Sequence, residues 1–207
     1  MKKLLISVIT LFILCPVFSE EIDVYHGTAS SYDTISKRLY VSHYGIKYET
    51  DNSQYYLVTT DDFNQVWIHL NYENIVTLRY ILNKYLEWES MAIEKQVAIE
   101  KDIPDSRIST TVSLMFTDDD QIWLYGKDFR SSDLFNLYFT FLSRNENRHQ
   151  LVIESNKVEA RGFDYELIPL HLNKENVLDL LDSISEESIE TVINVYNNRQ
   201  KLLDEFD

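Results

Sequence analysis

The sequence predicts an α+β protein in which antiparallel β-sheets combine with a long central helix and C-terminal helices. Apolar and polar residues alternate along several short segments, as expected for strands with one buried face. Elsewhere apolar residues recur every three or four positions, which is typical of helices. A third observation is a ten-residue segment that occurs twice, at 69–78 and at 171–180, with six identical positions.

The repeated segment is predicted to be a strand that leads directly into a helix. Asn71 and Asn173 each stand where an N-cap belongs, and an Asn side chain can accept hydrogen bonds from amides of the first turn. Glu73 and Glu175 fall in that first turn, where the helix dipole favours negative charge. The repeat favours a duplicated strands-then-helix unit, and convergent capping of two unrelated junctions is the alternative. The two halves of such a repeat are 22–103 and 104–207.

The first half is predicted to be strands followed by the long helix. Residues 22–60 have strand-like alternation, with a hairpin predicted around His43-Tyr44-Gly45. The segment 65–70 is the strand that enters the repeat. The apolar stripe after it predicts a helix from about Tyr72 to Lys101, which ends before Pro104.

The second half is predicted to contain more strands and two helices. Strands are predicted at 108–116, 121–125, 149–153 and 165–172. The apolar segment 134–142 is predicted to be a buried strand, with a helix capped by Ser131 or Ser132 as the alternative. A helix is predicted from Asn173 to about Ser183, and Ser183-Ile184-Ser185-Glu186 resembles a capping box that starts a last helix.

The first nineteen residues are typical of an export signal. Lys2 and Lys3 precede an apolar run, and Ser19 ends a plausible cleavage site. The domains expected are therefore a signal peptide at 1–19 and a single α+β domain at 20–207, either periplasmic or extracellular. Lipidation of Cys15 and an uncleaved anchor are the alternatives. Cleavage would remove the only Cys, so no disulfide is expected.

The charge of the chain limits the classes of partner. The formal net charge is −15 at pH 7, so phosphate backbones and anionic membrane surfaces are repelled and nucleic acid is not expected as a partner. Several strands and then a helix, twice over, resembles the topology of the whirly and PUR-type folds. That resemblance implies a single-stranded nucleic-acid binder, but it covers only the order of elements, and the charge points away from it.

Sequence motifs of catalysis are missing. There is no glycine-rich phosphate loop, nucleophile elbow or His-Glu-x-x-His zinc motif, and no cofactor is expected. No metal site is expected, because neither half has the close ligand spacing of common zinc sites. His69 and His171 occupy equivalent positions of the repeat and are weak metal-ligand candidates, should the two halves bring them together. Asp118–Asp120 is interpreted as a solvated turn rather than a calcium loop, because the EF-hand pattern is missing.

Aromatic residues are the remaining candidates for a binding site. Seven of the fourteen tyrosines lie between Tyr25 and Tyr56, and an exposed row of tyrosines that includes Tyr44 and Tyr48 would suit a peptide or a glycan. Packing of tyrosines in half-buried strands is the alternative. Trp88 lies off the apolar stripe of its helix, beside two glutamates, which makes it the tryptophan most expected to meet a partner.

These observations favour an exported, soluble, non-enzymatic protein that binds a protein, a peptide or another component of the bacterial envelope. The alternative is an exported hydrolase that uses carboxylates or a metal, and the third hypothesis is the nucleic-acid binder. Convergence of carboxylates or histidines in a deep pocket would favour the hydrolase, whereas a shallow aromatic patch would favour binding.

Overall fold

A computed structural model describes residues 21–33, 38–50, 53–60, 64–117, 123–124, 134–145, 148–160 and 163–204. Antiparallel strands and three helices within these residues confirm the predicted α+β class. The first half contains β1 (Glu21–Asp33), β2 (Arg38–Glu49), β3 (Gln54–Thr60), β4 (Asn64–Leu70), α1 (Tyr72–Lys95) and β5 (Ile99–Asp102). The second half contains β6 (Ile108–Thr110), β7 (Val112–Thr117), β8 (Trp123–Leu124), β9 (Phe135–Asn145), β10 (Arg148–Ser155), β11 (Val158–Ala160), β12 (Phe163–Tyr165), β13 (Leu170–Leu172), α2 (Lys174–Ser183) and α3 (Glu186–Asp204).

Eleven of the described strands form one sheet in which all neighbours are antiparallel. The strand order is β5-β9-β10-β13-β1-β2-β3-β4-β7-β8, and β6 pairs with β9 beside this path. Strands β11 and β12 pair with each other as a separate hairpin. Segment 134–142, which the sequence left open between strand and helix, belongs to β9 and is a strand.

The segment from β6 to β7 closes the sheet on itself. Its first part, β6, pairs with β9, whereas its second part, β7, pairs with β4. Only Thr111 separates β6 from β7, and the Thr111 carbonyl accepts a hydrogen bond from the amide of His69. The strands from β9 to β4 therefore form a closed circuit whose inner face is shielded from water. Among the described strands, β5 pairs with β9 alone and lies at an edge of the sheet.

Each half contains four strands that are neighbours in the sheet, followed by an Asn-capped helix. The strands β1 to β4 of the first half form a meander, whereas β6, β9, β10 and β13 of the second half are neighbours in the sheet but are not consecutive in sequence. Helices α1 and α2 begin directly after β4 and β13. Both halves therefore have the expected order of strands and then a helix, and the origin of the two halves by duplication stays a prediction.

The hydrophobic core lies between the inner face of the sheet and helices α1 and α2. Alternate residues of β4 face this core, which explains the sequence alternation: Val66, Ile68 and Leu70. Strand β9 contributes phenylalanines in the same way, and α1 contributes one buried stripe. Trp67 faces the opposite side of β4, where it forms a second, smaller cluster with Tyr56 and Val58.

The predicted hairpin at His43-Tyr44-Gly45 is wrong, because β2 continues without interruption from Arg38 to Glu49. Gly45 instead lies opposite His26, next to a register shift between β1 and β2. A Cβ atom at this position would collide with the carbonyl oxygen of Tyr25. The glycine therefore permits a close approach of two backbones rather than a turn.

Two predicted helix boundaries are also corrected. Helix α1 ends at Lys95, six residues before the predicted end, because Gln96 adopts a left-handed conformation with φ 52° that stops the helix. The last helix is capped by Ser185 rather than by Ser183, since the Ser185 hydroxyl accepts from the amide of Ser188 at 3.1 Å. Ser183 instead ends α2.

Some expectations concern residues outside the described part of the chain. The proposed signal peptide 1–19, Cys15 and Asp118–Asp120 lie there. Among the described helices, none is both long enough and apolar enough to cross a membrane.

Candidate functional site

Helix α1 places Trp88 at the margin of its buried face. The buried residues of this helix follow helical spacing, and Tyr85, Glu89 and Ala92 are the last three of them. Trp88 lies beside this stripe and is half-buried. Its ring packs edge-on against Phe141 of β9, with ring centroids 5.9 Å apart. One edge of the indole therefore belongs to the core, and the rest borders a cavity.

The cavity beside Trp88 has a volume of about 240 Å³ and lies between the end of α1 and strand β5. Six apolar side chains line it: Trp88, Met91, Ala92, Val97, Ile99 and Phe141. Several of these are unusually exposed for their type, with Met91 at 40 %, Val97 at 42 % and Ile99 at 41 %. We call this cavity and its lining the Trp88 pocket.

Lysines supply the charge of the Trp88 pocket. Lys95 and Lys101 line it, and no carboxylate of the described residues does. The Lys101 ammonium lies 5.0 Å and the Lys84 ammonium 5.8 Å from the centre of the Trp88 ring, which is cation–π range. Lys84 also pairs with Glu87 at 2.8 Å. In a chain of net charge −15, this is a local cationic and apolar site.

A buried serine–histidine pair lies next to Phe141. The Ser143 hydroxyl donates to the carbonyl of Val97 at 2.9 Å, so its proton is already committed. His149 Nδ1 lies 3.1 Å from the same oxygen and must therefore donate to it. A nucleophilic serine requires the opposite arrangement, in which histidine accepts the hydroxyl proton. This pair holds β9 against the chain after α1 and does not form a catalytic dyad.

The two tyrosine candidates lie on the inner face of the sheet. Tyr44 is buried in the core, and its hydroxyl lies 3.2 Å from that of Tyr25. Burial, followed by the hydrogen bond with Tyr25, raises the pKa of Tyr44 above its ordinary value. Tyr48 is also buried and packs edge-on against Tyr55, with ring centroids 4.9 Å apart. The alternation of β2 turns both side chains away from solvent, so neither forms an exposed binding row.

The two histidine candidates lie far apart. Strands β1, β2 and β3 separate β4, which carries His69, from β13, which carries His171, and this corresponds to roughly 19 Å along the sheet. His69 Nε2 lies 2.9 Å from the hydroxyl of Ser113, which is buried. Burial, and then the charge of Arg144, lowers the pKa of His171. Among the described residues, no group of three or more potential ligands could hold a metal ion.

A buried carboxylate connects the first two helices. Glu89 of α1 is 5 % exposed, and its Oε2 lies 2.8 Å from the ammonium of Lys174, the first residue of α2. That oxygen has no hydrogen bond of good geometry, so the contact is an ion pair without directional support. The Lys174 side chain is half exposed, so water can solvate its ammonium, and the carboxylate is the group that depends on the pair.

Two larger grooves contain most of the clustered acidic residues. One groove, of about 670 Å³, lies between β1 and the α2–α3 corner and contains Asp179, Asp182 and Glu187. The other, of about 660 Å³, lies where β5 meets β6 and contains Asp102, Asp105 and Glu154 beside Arg107. The lining of both grooves is more polar than that of the Trp88 pocket.

Sequence reasoning singled out Trp88 but missed its surroundings. Lys95, Val97, Ile99 and Lys101 were assigned to the long helix, whose apolar pattern they continue. Lys95 is the last residue of α1, and the left-handed residue at Gln96 ends the helix there. The chain then leads through Val97 into β5, which carries Ile99 and Lys101 across from Trp88. The β-branched pair Val97 and Ile99 was the available signal for a strand.

No family model, no curated protein and no solved structure matches this chain.

Proposed function

We propose that this chain is an exported, non-enzymatic binding or accessory protein of the bacterial envelope, and that it binds a partner protein or peptide at the Trp88 pocket. The observation that supports this proposal is the combination of Trp88, a small apolar cavity and two lining lysines, Lys95 and Lys101, with no carboxylate among the described lining residues. Half-exposed tryptophans beside small cavities are frequent energetic centres of protein interfaces.

The hydrolase alternative has weaker support from the described residues. The serine of the His149 pair has committed its proton to a backbone carbonyl, and the Ser113 hydroxyl near His69 is buried. The acidic grooves are open to solvent and contain no described group of three or more His, Cys, Asp and Glu that could hold a metal.

Binding at the Trp88 pocket is tested by selecting a displayed random-peptide library on the protein. We expect the enriched peptides to bind the Trp88→Ala variant at least about thirtyfold more weakly, as for other tryptophan hot spots. Tyr72→Ala is the matched control, because Tyr72 is an exposed aromatic at the other end of α1. Enrichment of no peptide, or equal loss in both variants, would contradict the proposed function. Circular dichroism verifies that both variants are folded.

Export is tested separately by determining the N-terminus of the protein recovered from an expressing bacterium. The expected mature chain begins at Glu20. A diacylated chain that begins at Cys15 would replace the cleaved-signal proposal with the lipoprotein alternative. A full-length chain in the cytoplasm would contradict export.

A further inference from the structure

We propose that the partner is an extended acidic peptide segment that adds to the free edge of β5 as a further strand and inserts one large apolar side chain into the Trp88 pocket. This inference rests on the proposed function and specifies the chemistry and the geometry of its partner. Strand addition of this kind derives affinity from main-chain hydrogen bonds and specificity from alternate side chains.

The free edge is defined by the hydrogen bonding of β5. This strand pairs with β9, and all four of its residues are exposed. The amide of Ile103 donates to the carbonyl of Phe139 in β9 at 3.0 Å. Because alternate residues of an antiparallel strand point to the same side, Ile99 and Lys101 also bond to β9. Glu100 and Asp102 then direct their amides and carbonyls away from the sheet, where an added strand would meet them.

The Trp88 pocket lies next to this edge. Val97, Ile99 and Lys101 alternate along the chain, and all three line the pocket. Every second side chain of a strand added beside β5 would point to the same face. The volume of about 240 Å³ is below the roughly 300–1,000 Å³ of small-molecule sites, so the pocket suits one side chain rather than a whole ligand.

Charge selects an acidic segment. Lys95 and Lys101 line the pocket without a carboxylate, so acidic side chains on either side of the inserted apolar residue would find ammonium groups. A second copy of this chain is a weaker candidate, because two proteins of net charge −15 repel each other. The partner is therefore a peptide with an apolar residue between acidic ones at every second position.

The probe is the fluorescently labelled peptide Gly-Asp-Thr-Phe-Thr-Asp-Gly, which places Asp, Phe and Asp on one face of a strand. Fluorescence anisotropy with the protein should show saturable binding that weakens between low and high salt, because the lysine contacts are screened. The peptide with Lys in place of both Asp residues should bind at least about tenfold more weakly. Equal binding of the two peptides would overturn the charge assignment.

Strand addition is tested through the backbone of both partners. Glu100→Pro removes an outward amide but no bond to β9, and edge strands tolerate such a proline. We expect it to weaken binding about tenfold, because one main-chain hydrogen bond is lost and the proline ring occupies the place of that amide hydrogen, whereas Glu100→Ala should bind as the unmodified protein does. Methylation of alternate peptide amides should abolish binding in one of the two alternations and spare it in the other.

The outcomes separate this inference from the proposed function. Suppose that Trp88→Ala abolishes binding of the probe, whereas Glu100→Pro and both methylation patterns leave it unchanged. That result would overturn strand addition but would leave binding at the Trp88 pocket intact. No saturable binding of the probe, while library peptides still depend on Trp88, would overturn the acidic-strand partner alone. A dimer in analytical ultracentrifugation that the probe does not dissociate would assign the edge to a second copy of the chain and overturn the inference.

Discussion

The two strand-to-helix junctions have the same local structure but begin very different helices. Asn71 accepts from the amide of Asn74 at 2.9 Å, and Asn173 accepts from the amide of Asn176 at 2.9 Å. Both caps have extended backbones, with φ −74° and ψ 177° in the first and φ −83° and ψ −179° in the second. However, α1 has 24 residues, whereas α2 has 10.

Burial at equivalent positions of the repeat is also the same for most pairs. Five pairs face the core in both halves: Ile68 and Leu170, Leu70 and Leu172, Ile75 and Val177, Leu78 and Leu180, and Leu82 and Ile184. Val76 and Leu178 are exposed in both halves. Val66 and Ile168 differ, since Val66 is buried and Ile168 is exposed. The repeated segment therefore encodes a junction, and the length of the helix after each junction is encoded outside it.

The extra length of α1 is the part of the helix that carries the candidate site. Tyr85, Trp88 and Ala92 lie beyond the point at which α2 ends and the chain turns into α3. One sequence difference inside the repeated segment connects the two helices. Tyr72 in the first occurrence of the segment corresponds to Lys174 in the second. Lys174 pairs with Glu89, so the second junction stabilises the long extension of the first.

The largest expected effect compares the buried leucines of the two junctions. Leu78→Ala and Leu180→Ala each remove a buried side chain from the same core, so each should lower the free energy of unfolding by about 3 kcal/mol. Urea denaturation followed by circular dichroism measures this loss. The controls Val76→Ala and Leu178→Ala are exposed and should change stability by less than about 0.5 kcal/mol. If Leu180→Ala lowered the free energy of unfolding by less than about 1 kcal/mol, α2 would be peripheral to the core. The two junctions would then not be equivalent in stability.

The next effect concerns the ion pair that makes the junctions differ. Lys174→Met leaves the Glu89 carboxylate buried without a partner and should cost about 2 kcal/mol of unfolding free energy. Glu89→Gln leaves only a half-exposed ammonium, which water can solvate, so its cost should be smaller. Urea denaturation of the two single variants and of the double variant measures the coupling. An equal loss of unfolding free energy in Lys174→Met and Glu89→Gln would contradict the expectation that the buried carboxylate depends on the pair more than the lysine does.

A smaller effect distinguishes the two caps. Asn71→Ala and Asn173→Ala should each lower the free energy of unfolding by about 1 kcal/mol. The loss at Asn71 should be the larger, because Asn173→Ala keeps the bond in which the Asn176 side chain accepts from the Asn173 amide at 3.2 Å, which is half of the capping box. Thermal denaturation of the two variants measures the difference, with Asn71→Gly and Asn173→Gly as near-neutral controls. A larger loss at Asn173 would reverse the ranking.

The smallest expected effect is the pH dependence that His171 contributes. Burial and Arg144 lower the pKa of His171 in the folded state, so the unfolded chain binds more protons below its ordinary value of 6.5. Stability from this group should therefore be complete above about pH 6.5 and fall as the pH is lowered below it. Denaturation curves between pH 7.5 and 5 should show a shallower decline for His171→Gln than for the unmodified protein. If stability declined with falling pH equally in His171→Gln and in the unmodified protein, His171 would not contribute to the pH dependence.

The candidate site was only partly predictable because its lining comes from two elements. Trp88 stands out from its position beside the apolar stripe of α1. Tyr44 and Tyr48 are buried rather than exposed. Alternation shows that they share a face but does not show which face is buried. The pocket itself depends on the reversal of the chain at Gln96. A glutamine at this position does not predict a left-handed conformation, so the reversal could not be predicted from the sequence.

The sequence by itself determined the local structure: the Asn caps, the periodicity of the strands and helices, and therefore the α+β class. These features depend on neighbours a few residues apart, for which spacing and residue type suffice. Tertiary structure alone decided that β6 and β7 close the sheet, that His69 and His171 lie apart, and that β5 faces Trp88. Those features depend on contacts between distant segments, whose energy comes from burial in a shared core rather than from local pattern.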